Sequence, residues 1–286
     1  MSSYRYRFVG YEKLPSGMNA DDVQLHCRLP DELIREIRNS GYAKRYHLGL
    51  AVQLSFLALT GRNADAALKM PSVMLKMLCE QLGIHSTAIA SLKSLYSNAD
   101  RTISNHRAWV REQLLFSTYD SNAEARLQAA LSQQAIDASC VDDLLACAQE
   151  WLFDNRIVLP GQRVVLDLAR SAFQVVENLA LATIRAAVTP VRLRAVLKVM
   201  HEESPTPGIS LLEWLKQSAG KHGVKGLKEV NSRIDALKTL GVHLWDLQGL
   251  SIGRIHAFAQ AVVNRPPSET ARRLEGTRSA EIACVL

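Results

Sequence analysis

Arg101, Ser104, Arg107 and Arg111 follow one another at spacings of three, three and four residues. At 3.6 residues per turn they share one arc of a helix, with Ile103, Val110 and Leu114 on a separate apolar arc. A guanidinium row of this kind grips phosphate oxygens and carries affinity without sequence preference. Thr102, His106 and Trp109 extend the polar and aromatic set. Just upstream, Thr87, Ser91, Lys93 and Ser94 have the reach and donor–acceptor character to touch base edges and phosphates. A further basic cluster, Lys221, Lys225 and Lys228, is interleaved with Gly223 and Gly226 ahead of an apolar-periodic segment. Lysine beside bare backbone near a helix start suits phosphate.

Catalytic arrangements are poor by comparison. Asp21-Asp22, Asp142-Asp143 and Glu202-Glu203 are adjacent acids, whose side chains diverge on any regular element. His201-Glu202-Glu203 lacks the second histidine of a zinc helix. There is no G-x-S-x-G, Walker or G-x-G-x-x-G motif. No metal or cofactor is expected, and no enzymatic activity.

The elements that position these residues are helical. Pro30-Asp31-Glu32 opens a helix with acids in its first turn and Leu33, Ile34 and Ile37 inside. Residues 44–59 form a mostly buried helix. Pro71 starts one carrying Met74, Leu75, Leu78 and Leu82, which ends at Gly83. A short helix over 86–96 follows, so 71–96 has the order of a helix-turn-helix. Another runs from about 100 to 116. One long helix is expected over 122–151, another over 162–188. A restart at Pro190 carries Leu193, Val196, Leu197 and Met200. The Ser204-Pro205-Thr206-Pro207-Gly208 run is a loop. Helices are expected at 209–219, 225–240 (inner face Leu227, Val230, Ile234 and Leu237), 251–263 and 278–286, the last stopping in mid-pattern. No sustained alternation marks a strand. The fold class is all-α, with tandem helix-turn-helix-like units.

Composition agrees. The 286 residues are 48% hydrophobic and 22% charged, enough for a core. Lys+Arg is 34 against Asp+Glu 28, net +6, a mild bias toward a polyanion. The surplus is uneven. Residues 1–120 hold 15 basic and 11 acidic residues, 121–178 hold 4 and 8, and 179–286 hold 15 and 9. The division expected is a first polyanion-binding unit at 1–120, a helical connector at 121–178, and a second polyanion-binding unit at 179–286, which the resemblance below turns into DNA-binding units. That second unit would use Arg185, Arg192, Arg194, Lys198, Lys221, Lys225 and Lys228. Five cysteines without a C-x-x-C fit a reduced, cytoplasmic protein. The longest apolar stretch, 48–59, is interrupted by Gln53 and Ser55 and is too short to span a bilayer.

Particular residues carry more. Arg45-Tyr46-His47-Leu48-Gly49-Leu50-Ala51-Val52-Gln53-Leu54 with Thr60-Gly61-Arg62 resembles the N-R-L-G-F-A-L-Q-L … P-G-R stretch of the Tn-three family of replicative transposases. Glu80-Gln81-Leu82-Gly83-Ile84 continues the likeness. Tyr96, Arg101-Thr102 and His106 resemble the family's Y-x-x-R-x-R-T-x-x-x-H. Trp151-Leu152 with Leu159-Pro160-Gly161 matches a later landmark, and Arg278, Ala280 and Leu286 look like the start of R-R-x-A-x-L-x-x-F-L. The departures are Tyr46-His47 for Asn-Arg, Thr60 for Pro, and a less basic 97–100.

The resemblance implies a helical N-terminal region that binds the terminal inverted repeats of a transposon. It places Arg45, His47, Arg62, Thr102 and His106 beside Thr87, Ser91, Lys93, Arg101, Arg107 and Arg111 as DNA-binding candidates. The family's DDE nuclease domain would lie beyond residue 286. The partner implied is double-stranded DNA at transposon ends. The rival reading is a helical interaction module that holds or blocks a full-length transposase.

Overall fold

The polypeptide is built on α3 (His47–Thr60), a helix buried on nearly all sides. Its sequence is apolar around the whole circumference, which only a central position satisfies. This is a computed structural model. It describes residues 6–65, 68–92, 94–96, 100–187, 189, 191, 198–199, 202, 204–217, 223–241, 245, 250–253 and 255–256, apart from the side chains of Leu181 and Arg185. Eleven helices and no strands are found among the described residues, so the all-α class holds.

Around α3 lie α2 (Asp31–Asn39), α4 (Ser72–Leu82), α5 (Ala88–Leu92) and α6 (Asp100–Leu114), and α1 (Ala20–His26) packs on α4. α1 was not foreseen; Asn19 caps it by accepting the Asp22 N–H at 2.7 Å. The polar residues of α3 are spent internally. Ser55 donates to Cys27 O (2.9 Å), Thr60 to Phe56 O (2.8 Å) and Gln53 Nε2 to the Tyr96 hydroxyl (2.6 Å).

Two glycines permit close approach. A Cβ on Gly49 would lie 2.4 Å from Leu95 Cδ2 and 3.1 Å from the Tyr96 hydroxyl. Gly61 ends α3 at φ 69°, and a Cβ there would lie 2.5 Å from Leu159 Cδ1. At this corner the Leu159 N–H donates to Gly61 O (2.8 Å) and the Gly10 N–H to Thr60 O (2.9 Å). A parallel bridge joins Ser117 to Ile157, a pairing distant in sequence.

The helix expected over 122–151 is two, α7 (Ser121–Gln134) and α8 (Val141–Asp154). Asp143 causes the break, since its carboxylate accepts the N–H groups of Ser139 (3.2 Å) and Cys140 (3.3 Å). α9 (Gln162–Ala187), α10 (Leu211–Lys216) and α11 (Val224–Leu240) follow. A reciprocal Ser210–Glu213 capping box starts α10. In α11 the expected inner face is corrected. Leu227, Val230 and Ile234 are exposed, while Gly226 and Arg233 are buried. Arg233 takes the inner side because it stacks over Trp214 (5.5 Å), pairs with Glu229 and donates to Gln217 O.

The chain forms two units, Met1–Leu131 with Leu145–Ala169, and Ser132–Leu144 with Arg170–Leu286. Residues 121–178 thus contribute to both. No described helix is long and apolar enough to cross a membrane. The expected 278–286 helix and most of 251–263 lie outside the described residues.

The cysteines differ in environment. Burial, with Asp22 nearby, pushes the Cys27 thiol up to about 12, whereas Cys140 is exposed. Only a thiolate alkylates readily. Brief iodoacetamide treatment at pH 8 is therefore expected to label Cys140 and spare Cys27. Peptide mass spectrometry checks this, and equal labelling would contradict the buried placement.

Candidate nucleic-acid interface

The solvent side of α6 is the most organised polar surface among the candidates. Arg101, Ser104, Asn105 and Glu112 are exposed, and Thr102, Ala108 and Arg111 are half-buried. The positions 101, 104, 105, 108, 111 and 112 follow the helical repeat, so they form one face about 16 Å long at 1.5 Å per residue. Ile103, His106 and Val110 anchor the opposite side in the core. Neither Arg101 nor Arg111 forms an ion pair among the described residues. The sequence reading missed Asn105, whose type and position one step from Ser104 could have found it.

Arg107 departs from the expected row. It turns inward and donates from Nη2 to Ala64 O at 2.6 Å. Its position lies at the margin of the arc, where a long side chain can fold back. Arg62 is buried (7% exposed), donating from Nε to Gly10 O (2.9 Å) and from Nη1 to Pro160 O (2.7 Å). Burial lowers the pKa of both guanidinium groups. Glu12 opposes this at Arg62, and Tyr96 and Asp65 oppose it at Arg107. His47 is buried, with Nε2 3.0 Å from Tyr42 O.

His106 is wholly buried. It sits edge-on to the rings of Tyr42 (4.4 Å), Tyr46 (5.0 Å) and Tyr96 (5.5 Å). The Tyr96 hydroxyl accepts from Gln53 and is hydrogen-bonded to His106 Nδ1, 2.8 Å away. In the fold, then, His47, Arg62 and His106 are buried and hold elements together.

Burial holds the His106 imidazole below the ordinary histidine range. The unfolded chain therefore takes the proton first. The stabilisation is complete above about pH 6.5, the unfolded value, and declines as pH falls through and below it. The melting temperature is expected to drop between pH 7 and 5, and His106→Gln to flatten that dependence. Differential scanning fluorimetry across this range checks it; an unchanged slope in the variant assigns the effect elsewhere.

The α4–α5 segment keeps helix-turn-helix order, but α5 is short. Gly83 closes α4, and the Ile84 N–H bonds back to Cys79 O at 2.9 Å. α5 spans five residues instead of the expected 86–96. The Ser91 and Ser94 hydroxyls bond to Ala88 O (2.8 Å) and Ser91 O (3.2 Å), competing with helix continuation. Thr87 and Ser91 are exposed. Arg45 is exposed and stacks on Tyr46 at 4.8 Å. In the second unit Lys198, Lys225 and Lys228 are exposed. Lys93, Arg192, Arg194 and Lys221, and the Arg185 side chain, lie outside the described residues. Among the described residues no group of three or more His, Cys, Asp or Glu could hold a metal.

The unit around α3 is thus a helical scaffold that presents one polar, arginine-bearing helix face. Residues 9–172 match the family described as Domain of unknown function (DUF4158), and the chain belongs to that family. It also aligns with the N-terminal part of a transposase, as the Tn-three resemblance implies. That relative is the transposase for insertion sequence element IS1071 in transposon Tn5271 of Comamonas testosteroni. It is 30% identical over 289 residues, covering 100% of this chain and 29% of the relative. The chain thus spans less than a third of that relative's length.

Proposed function

We propose that this chain binds double-stranded DNA at transposon ends, as the N-terminal recognition portion of a transposase. The observation that carries the reading is the solvent face of α6. Arg101 and Arg111 stand about 15 Å apart along the helix at 1.5 Å per residue, with Ser104, Asn105 and Ala108 between them. Arginines at both ends suit phosphates on either side of a groove. Asn105 is a side chain that can read adenine, and Ala108 leaves room for a base edge. α5, at roughly 7.5 Å, contributes Thr87 and Ser91 as flanking contacts. Lys198, Lys225 and Lys228 supply a second phosphate-binding region, giving the two-part recognition that the basic ends of the sequence suggest.

The test is a salt-titrated binding assay. It compares a duplex carrying the terminal inverted repeat of the element encoding this chain with a scrambled duplex of equal length. Selective binding with a steep salt slope is expected. Equal, weak binding to both would overturn the reading.

A second reading, a protein-interaction module, is favoured by the exposed apolar row Val224, Leu227, Val230 and Ile234 on α11. It predicts concentration-dependent self-association without DNA, measured by sedimentation velocity.

A further inference from the structure

Arg62 and Arg107 are candidate contacts that the interface on α6 does not use, and both are incompletely satisfied. Arg62 spends Nε and Nη1 on backbone carbonyls, but its buried Nη2 has no acceptor among the described residues. Arg107 spends Nη2 on Ala64 O, while its buried Nε has no acceptor either. Neither guanidinium is in ion-pair contact with a carboxylate among the described residues. A buried cationic donor left unmatched is costly. Both side chains line the same cleft of about 340 Å³, together with Lys13 and Asn63. Glu12 and Asp65 also border it, so three cations face two carboxylates.

We propose that this cleft is a binding site for a phosphate-class oxyanion, seated against Arg62 and Arg107 with Lys13 at its rim. No acceptor among the described residues completes these donors, and a tetrahedral oxyanion can take a hydrogen bond from each guanidinium while neutralising the surplus charge. Since a water takes up about 30 Å³, the cleft has room for a phosphate and several waters. Two sources share this chemistry, a backbone phosphodiester of DNA and a free phosphate. The first rests on the DNA-binding reading above; the second does not.

The test uses the whole chain and inorganic phosphate. Melting temperatures are compared in phosphate and in chloride at equal ionic strength. The wild type is set beside Asn63→Asp, which adds a carboxylate to the cleft and leaves the structural bonds of Arg62 intact, and beside Arg107→Gln. Phosphate also stabilises proteins generally, so the readout is the difference between chains. At about ten times the dissociation constant, phosphate is expected to raise the wild-type midpoint by roughly 2–6 °C more than that of either variant. Equal shifts in all three chains overturn the site.

A DNA arm then separates the sources. If Asn63→Asp also binds duplex roughly tenfold more weakly, with a salt slope lower by about one, the occupant is a backbone phosphate. Unchanged duplex affinity with a lost phosphate response assigns the cleft to a free phosphate. A retained phosphate response without any DNA binding upholds the site and overturns the function proposed above.

Discussion

Replacing Arg101 and Arg111 together by glutamine is expected to weaken duplex binding roughly 10–100-fold at low salt, and to do so for every sequence alike. Each lost phosphate contact releases about 0.9 fewer counterions, so the slope of log affinity against log salt should fall by about two. Both side chains project from a helix whose other side is fixed by Ile103, His106 and Val110, so the substitution should leave stability nearly unchanged. Asn105→Ala is expected to behave differently, retaining the salt slope while reducing the preference for the inverted repeat, about 1–3 kcal/mol of discrimination for a bidentate base contact. Fluorescence anisotropy across a salt series, on matched and scrambled duplexes, measures both. Full affinity and slope in the double variant would remove α6 from the interface.

The largest effect on stability is expected at Phe56. It is 1% exposed and sits in the middle of α3, the helix on which α2, α4, α5 and α6 all pack. Phe56→Ala is expected to cost about 3–5 kcal/mol through lost burial and the cavity left behind. At roughly 2–4 °C per kcal/mol, the transition of this unit should fall by about 6–20 °C. Leu25→Ala is the control, since Leu25 is 67% exposed and should shift the midpoint little. Calorimetry reports both. A small loss at Phe56 would mean that α3 is not the centre on which the others rest.

Sequence by itself determined the helical class, because apolar spacing of three and four residues is a local property that survives without knowledge of neighbours. It located the buried α3, whose unbroken apolar run leaves no polar face to turn outward, and the close of α4 at Gly83. The motif around His47–Gln53 and Thr60–Arg62 led to the transposase relationship, since motif matching needs no geometry. Tertiary structure alone decided which cations remain available. A helical wheel places Arg107 beside Arg111, but a carbonyl at Ala64, 43 residues away, draws Arg107 inward. Nothing local announces that Arg62 will meet Gly10 and Pro160, the latter 98 residues on, or that three tyrosines will enclose His106. The same limit reversed α11, where the pattern Leu227, Val230 and Ile234 faces solvent because Arg233 finds Trp214 and Glu229 on the other side. Periodicity divides a helix into faces; only the partners brought up by the rest of the chain decide which face is buried and which long side chains are spent inside.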